Sequence, residues 1–239
     1  MERYLAINAG DIVTKDTVKS VNVLMSFAFH KNYDCSYIPY CRNFLLDSGA
    51  FTVLKHNIKD MDWEGYIKLY ADFILEYNVE HFFELDIYSI IGVKETERLR
   101  ALLEHLTKRK CIPVWHADLG IDYFFALCDN YDYVAIGGLV TRERSLKWYL
   151  GNLNFFIKQA HSRKARLHLL GYTGGLDEKK YPGLDSCDSS AHQTCHRFGG
   201  YFSFDKDTRK ISHKTSKRKS KLTPKAFELF SQFYNFLKN

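Results

Sequence analysis

Short apolar runs of strand length alternate with amphipathic stretches along most of the chain. Most of the apolar runs are nearly continuous instead of alternating with polar residues, which is typical of strands buried on both faces. They occupy residues 21–29, 43–47, 81–86, 111–116, 133–137, 167–171 and 184–188. Between them, residues 62–77, 94–108 and 143–161 carry apolar side chains at helical spacing. Strand and helix in repeated alternation predict a parallel α/β sheet.

Polar and glycine residues at the ends of these runs favour a closed barrel over an open, doubly wound sheet. They are Asp47, Asp86, His116, Gly137, Gly138, Gly171 and Asp188. In a closed barrel the carboxyl ends of the strands converge on one mouth, where barrel enzymes carry their chemistry. In an open sheet the same residues would be spread along one edge. We therefore expect a (β/α)8 barrel of the TIM type.

The chain is expected to form one domain over residues 1–239, since it has no long linker, internal repeat or low-complexity tract. We place the catalytic core at about 20–205 and a basic segment at 212–221. Residues 201–213 carry the pattern of a β-hairpin. Thr223-Pro224 before an apolar-periodic stretch predicts a C-terminal helix over 223–238.

The net charge of +6 is compatible with a polyanionic partner, and its distribution is more specific than its size. Residues 213–221 hold five cations and one histidine with no acid. This segment is either a solvated loop or a contact to nucleic-acid phosphates, through Lys214, Lys217, Arg218, Lys219 and Lys221.

The start of the chain has no basic region followed by a long apolar run, and no apolar run is long enough to span a membrane. We therefore expect six free cysteine thiols in a reducing compartment, the cytoplasm.

Acidic residues at strand ends are the candidates for catalysis. Asp47 is followed by Ser-Gly-Ala and then Phe51, a combination that is either a helix cap or an acid beside a stacking ring. Asp86 either accepts hydrogen bonds from a guanine-like edge or orders a loop. Two acids, Asp185 and Asp188, compete at the last strand. Two carboxylates across a pocket are sufficient to break a glycosidic bond, one as nucleophile and one as acid/base.

Four motifs together resemble the tRNA-guanine transglycosylase family. Asp47-Ser-Gly-Ala-Phe51 resembles its Asp-Ser-Gly-Gly-Phe/Tyr motif, and Ala135-Ile-Gly-Gly-Leu139 resembles its Gly-Gly-Leu loop. Leu167-His-Leu-Leu-Gly171 resembles the strand before the nucleophile. The family's nucleophilic Asp precedes a glycine by eleven residues with an Arg between, as Asp188 precedes Gly199 around Arg197. The motifs follow the family's order over about residues 40–200, and the spacing selects Asp188 over Asp185.

The resemblance implies a pentosyltransferase that exchanges a base through a covalent aspartyl-ribosyl intermediate. In it Asp188 is the nucleophile and Asp47 the acid/base. The substrate would be bound by Phe51, Asp86, Tyr88, His116, Gly137, Gly138, Leu139 and Gly171, and the nucleic acid by Arg197 and the basic segment. His116 stands where the family often has a glutamine, and Tyr88 replaces a smaller residue, so the identity of the incoming base is open.

The polymer is the second open choice. The tRNA enzymes carry a Cys-x-Cys-x-x-Cys zinc cluster beyond the nucleophile, whereas the last cysteine here is Cys195, so we assign no metal ligand, zinc subdomain or cofactor. Asp188-Ser-Ser resembles the short phage and bacterial relatives that install 7-deazaguanines in DNA. We therefore expect exchange of guanine for a 7-deazaguanine such as preQ0 in DNA, with tRNA as the alternative. A nucleosidase or glycosidase, or a non-catalytic nucleic-acid binder, would carry the same acids.

Overall fold

The computed structural model describes residues 1–7, 14–19, 21–32, 34–50, 61–139, 144–172, 179–190, 201–205 and 210–214. Within them, seven strands form one sheet in the order β3-β2-β1-β7-β6-β5-β4, and every neighbouring pair is parallel. The strands are β1 (Glu2–Ile7), β2 (Asn22–Ser26), β3 (Asn43–Asp47), β4 (Val114–Trp115), β5 (Tyr133–Ile136), β6 (Arg166–Leu169) and β7 (Ser186–Ser189). The predicted parallel α/β architecture is confirmed.

Helices in the described residues connect these strands. They are α1 (Lys15–Val18), α2 (Trp63–Glu76), α3 (Tyr88–Ile91), α4 (Val93–Thr107), α5 (Ile121–Asn130) and α6 (Leu146–Ser162), with 3-10 helices at Phe27–Asn32, Cys35–Tyr40 and Ala117–Leu119. Side-chain caps set the starts of α2 and α6. Asp62 accepts from the amide of Gly65, and Ser145 accepts from the amide of Trp148. The three predicted helical stretches therefore correspond to α2, α4 and α6.

Alternate residues of each strand face two different cores. On the concave face one cluster joins side chains from most of the sheet: Tyr4, Leu24, Leu45, Phe83, Ile112, Val114, Tyr133 and Ala135. It contains both Leu45 of β3 and Val114 of β4, which are opposite edge strands. The intervening residues of the same strands pack outward, for example Val134 and Leu167 beside α6. Because the two edges share one core, the sheet is curled.

The predicted eight-stranded barrel is confirmed only as this curled, seven-stranded parallel sheet of TIM-like type. The predicted strand at 81–86 makes only single parallel bridges, from Phe82 to Leu46 and from Phe83 to Ile112. The hydroxyl of Tyr70 lies 3.0 Å from the carbonyl oxygen of Leu46 and 3.1 Å from that of Phe83. This tyrosine of α2 therefore ties segment 81–84 to the end of β3.

The hairpin prediction is confirmed by an antiparallel pair, β8 (Tyr201–Asp205) and β9 (Lys210–Lys214). The predicted C-terminal helix and the basic segment beyond Lys214 lie outside the described residues. No helix in the described part of the chain is long and apolar enough to cross a membrane. Five of the six cysteines fall in the described ranges, and all five are free thiols.

Candidate active site

Asp47 is the last residue of β3 and lies on the same face of the strand as Leu45, which belongs to the concave core. Its Oδ2 accepts a hydrogen bond from the amide of Gly49 at 3.1 Å. Gly49 has φ of +76°, and a Cβ there would lie 2.5 Å from the Cβ of Ala28. The Asp-Ser-Gly turn therefore needs glycine both for its backbone conformation and for its close approach to the 3-10 helix that follows β2.

Asp188 is the third residue of β7 and is almost fully buried, with a side chain 7% exposed. Its Oδ1 accepts the backbone amide of Gly171 at 2.6 Å and faces Nε2 of His168 at 3.1 Å. Both contacts converge on Oδ1. Among the described residues, Oδ2 has no hydrogen-bond donor.

Asp185, the competing acid, lies at the opposite end of β7. Its Oδ2 accepts the amide of Leu167 at 2.8 Å and contacts Nε2 of His161 at 2.9 Å. Asp185 and Asp188 differ by an odd number of residues, so in an extended strand they point to opposite faces of the sheet. Asp185 therefore joins β6 to α6 on the convex side, whereas Asp188 lies on the concave side.

The negative charge of Asp188 affects the pKa of Asp47. Burial is the main cause that raises the pKa of Asp47 to about 6, and the charges of Asp188 and, to a smaller extent, Asp86 raise it further. The amide of Gly49 opposes this shift by stabilising the carboxylate. Asp47 is thus able to exchange a proton near neutral pH, which is the property that a general acid/base needs.

Asp86 and His116 form a second polar group beside this pair. Oδ1 of Asp86 lies 2.7 Å from Nε2 of His116, and the ring of Tyr88 packs over the imidazole at a centroid distance of 4.7 Å. The Tyr88 hydroxyl donates to the carboxylate of Asp118. A Cβ on Gly137 would lie 2.7 Å from Nε2 of His116, so the imidazole occupies the space that the glycine leaves.

His116, predicted as a substrate-binding residue, has one ring nitrogen occupied in the structure. Nε2 of His116 is already engaged by Asp86. Asp86 retains one carboxylate oxygen without a described donor and is only 27% exposed. His116 therefore holds one oxygen of the Asp86 carboxylate in place.

The remaining predicted site residues divide into placed and undescribed ones. Gly138 (φ of +79°) and Leu139 follow β5 directly, and Gly171 follows β6. Of Lys214, only the backbone is described, at the end of β9. Outside the described residues lie Phe51, Arg197, Lys217, Arg218, Lys219 and Lys221. Within the described ranges, no three His, Cys, Asp or Glu side chains are grouped so as to hold a metal ion.

Three residues of the site were not among the predicted ones: His168, Ser186 and Tyr133. All three are buried on the concave face behind Asp188. The available signal was His168 itself, a polar residue within the apolar run 167–171. Alternation along β6 puts it on the face opposite to Leu167 and Leu169, which pack toward α6.

Comparison of the sequence with protein-family models gives no match, and comparison with curated proteins gives none. The resemblance to the tRNA-guanine transglycosylase family therefore remains a prediction from the four motifs.

Proposed function

We propose that the protein is a base-exchange transglycosylase that replaces a purine base in a nucleic acid, with Asp188 as nucleophile and Asp47 as acid/base. The observation that carries this proposal is that two carboxylates on the concave face lie in different environments. Asp188 is held by two contacts at Oδ1, and Asp47 has a pKa raised to about 6 mainly by burial. Acid pairs in different environments divide the roles of nucleophile and proton carrier in this way.

In the proposed reaction Asp188 acts as the nucleophile and Asp47 as the proton carrier. Oδ2 of Asp188 attacks C1′ of the target nucleotide, the bond from C1′ to the base breaks, and the electron pair leaves with the base. Protonated Asp47 supplies the proton that the departing base takes up. An incoming base then gives its proton to Asp47 and attacks C1′, which releases Asp188 as a carboxylate. The proton count on Asp47 is restored at the end of the cycle.

Base selection is assigned to Asp86, whose Oδ2 and the remaining lone pair of Oδ1 can accept from the N1–H and 2-amino edge of guanine or a 7-deazaguanine. Its contact with His116 fixes the carboxylate, and Gly137 leaves the space that the imidazole needs. We further propose that segment 81–84, which is bridged to β3 and to Ile112, corresponds to the eighth strand of a TIM-type barrel.

The proposed polymer is DNA and the proposed incoming base is a 7-deazaguanine of the preQ0 type. The basic residues of 213–221 support a phosphate-contacting role, and the Asp188-Ser-Ser sequence resembles the short DNA-modifying relatives. Because C1′ is enclosed in a stacked duplex, the target nucleotide would leave the stack before attack.

The test is incubation of the protein with labelled preQ0 and either duplex DNA, single-stranded DNA or tRNA. We expect label in DNA, and a protein–DNA adduct that survives denaturation when the incoming base is omitted. Asp188→Asn should abolish both. Asp185→Asn is the matched control, because it changes the acid directly before β7, which faces away from the site, and it should retain both.

The alternatives give different results in the same assay. Label in tRNA alone would overturn the choice of DNA. Release of free base into water without a stable adduct or incorporation would indicate a nucleosidase. An Asp188→Asn protein that still incorporates label would overturn the assignment of the nucleophile.

A further inference from the structure

The Asp188 carboxylate is the end of a buried row of four side chains. Tyr133 Oη lies 2.5 Å from Ser186 Oγ, Ser186 Oγ lies 2.7 Å from His168 Nδ1, and His168 Nε2 lies 3.1 Å from Asp188 Oδ1. The imidazole has no exposed surface and is enclosed by the rings of Phe83 and Tyr4. The row therefore crosses the concave core from the first residue of β5 to the candidate nucleophile.

The proton positions in this row follow from counting donors and acceptors. Burial raises the pKa of Tyr133 to about 12, so its hydroxyl carries a proton at neutral pH. Among the described residues, the Ser186 hydroxyl is the acceptor within reach of that proton. If Tyr133 donates to Ser186, then Ser186 donates to Nδ1 of His168 and Nε2–H donates to Asp188. This direction satisfies all four groups, whereas the reverse leaves the buried phenol proton without an acceptor, which is costly.

We infer that His168 is a positioning residue for the nucleophile, kept as the Nε2–H tautomer by Ser186 and Tyr133. This inference rests on the proposed function. Nε2–H and the amide of Gly171 together fix Oδ1, so that the carboxylate presents Oδ2 to C1′. A buried histidine that merely fills the core would need the ring volume, but not the direction of its hydrogen bonds.

Two substitutions of His168 separate these roles, since each keeps one nitrogen position of the ring. In His168→Gln the side-chain amide reaches the position of Nε2 and can still donate to Asp188. In His168→Asn the amide reaches only the position of Nδ1, so it keeps the contact to Ser186 and loses the one to Asp188. Both lose the packing of the ring against Phe83, so similar losses of melting temperature are expected.

The measurement is the single-turnover rate of adduct formation on DNA. We expect His168→Asn to fall by about 100-fold, the scale for a misplaced reacting group, with little change in KM for DNA. His168→Gln should retain most of the wild-type rate. Ser186→Ala should lie between them, because it removes the group that fixes the tautomer but leaves the imidazole in place.

The tautomer has its own readout in the ¹⁵N spectrum of the labelled imidazole, which needs no substrate. We expect a proton on Nε2 and none on Nδ1 at neutral pH; a proton on Nδ1 would overturn the inference. Equal rates for the Gln and Asn variants, in a protein whose wild type exchanges bases, would overturn the inference alone. A wild-type protein that exchanges no base with either polymer would overturn the proposed function, and the positioning role with it.

Discussion

Asp47 and Asp188 belong to strands three places apart in the sheet order, yet the charge of Asp188 raises the pKa of Asp47. The curl of the sheet brings the two acids within electrostatic reach on the concave face. In the proposed reaction this coupling has a direction. When Asp188 becomes an ester it loses its charge, so Asp47 becomes the stronger acid at the moment when the departing base takes a proton. When the ester breaks, the returning charge favours uptake of a proton by Asp47.

The first prediction concerns this coupling. Asp188→Asn should lower the pKa of Asp47 from about 6 toward its ordinary value, because one of the causes that raise it is removed. Asp86→Asn should lower it by less, since its charge is the weaker of the two contributions. The measurement is a ¹³C NMR titration of the Asp47 carboxyl carbon. An Asp47 titration unchanged by Asp188→Asn would contradict the electrostatic contact.

A second prediction links the same pKa to stability. The folded-state pKa of Asp47 lies above its ordinary value, so folding favours the protonated acid. Ionisation of this carboxyl therefore costs no folding free energy below about pH 4, and that cost grows as the pH rises from about 4 through about 6. Asp47→Asn should raise the free energy of unfolding by about 1 to 3 kcal/mol at pH 8 and leave it unchanged at pH 4.

Urea unfolding at the two pH values measures this difference. The amide oxygen of the Asn can still accept from Gly49, so the local turn is kept. Asp72→Asn, on the exposed side of α2, is the control for loss of one negative charge. A loss of stability at pH 8 in Asp47→Asn would show that the carboxylate is a net stabilising group and contradict the prediction.

The position of most strands could be predicted from the sequence, and that of β3 most closely. The bounds of β3 were predicted as observed, at 43–47, because a polar and turn-forming sequence stops an apolar run there. A motif spacing selects Asp188 over Asp185 in the sequence, and the structure distinguishes the two acids by their position. The two side chains point to opposite faces of β7, and Asp185 is engaged by Leu167 and His161.

The missed features are those in which a residue's partners lie far away in the sequence. Strand β1 (Glu2–Ile7) was not predicted, since one short run of mixed residues carries little periodicity. In the structure it pairs in parallel with β2 and β7 and lies inside the sheet. Helix α5 was missed because its apolar face is short. His168 was not assigned a role because its partners Ser186 and Tyr133 are distant along the chain, and no local pattern brings them together.

A third prediction tests the turn that holds Asp47. Gly49→Ala should destabilise the protein by about 2 to 5 kcal/mol, from a left-handed backbone conformation and overpacking against Ala28. Gly151→Ala is the matched control in α6, where a Cβ meets no atom within 4 Å. It should stabilise by about 0.5 to 1 kcal/mol, the helix preference of Ala over Gly. Thermal unfolding of both variants gives the comparison, and equal behaviour would contradict the close packing at Gly49.

The fourth prediction separates base selection from bond cleavage. In Gly137→Ala the new methyl group would lie 2.7 Å from Nε2 of His116 and 2.8 Å from Cγ1 of Val114, so we expect the imidazole to shift and its hydrogen bond to Asp86 to be disturbed. Asp188 and His168 lie on other strands, Gly171 follows β6, and all three should keep their contacts. We therefore expect KM for the incoming base to rise by about 10-fold or more, the cost of one lost oriented hydrogen bond to a charged group. The rate of adduct formation on a saturating DNA substrate should change much less.

Steady-state kinetics with varied preQ0, beside single-turnover adduct formation, measure the two quantities separately. Equal losses in both would mean that His116 and Asp86 contribute to bond cleavage itself and not only to base recognition.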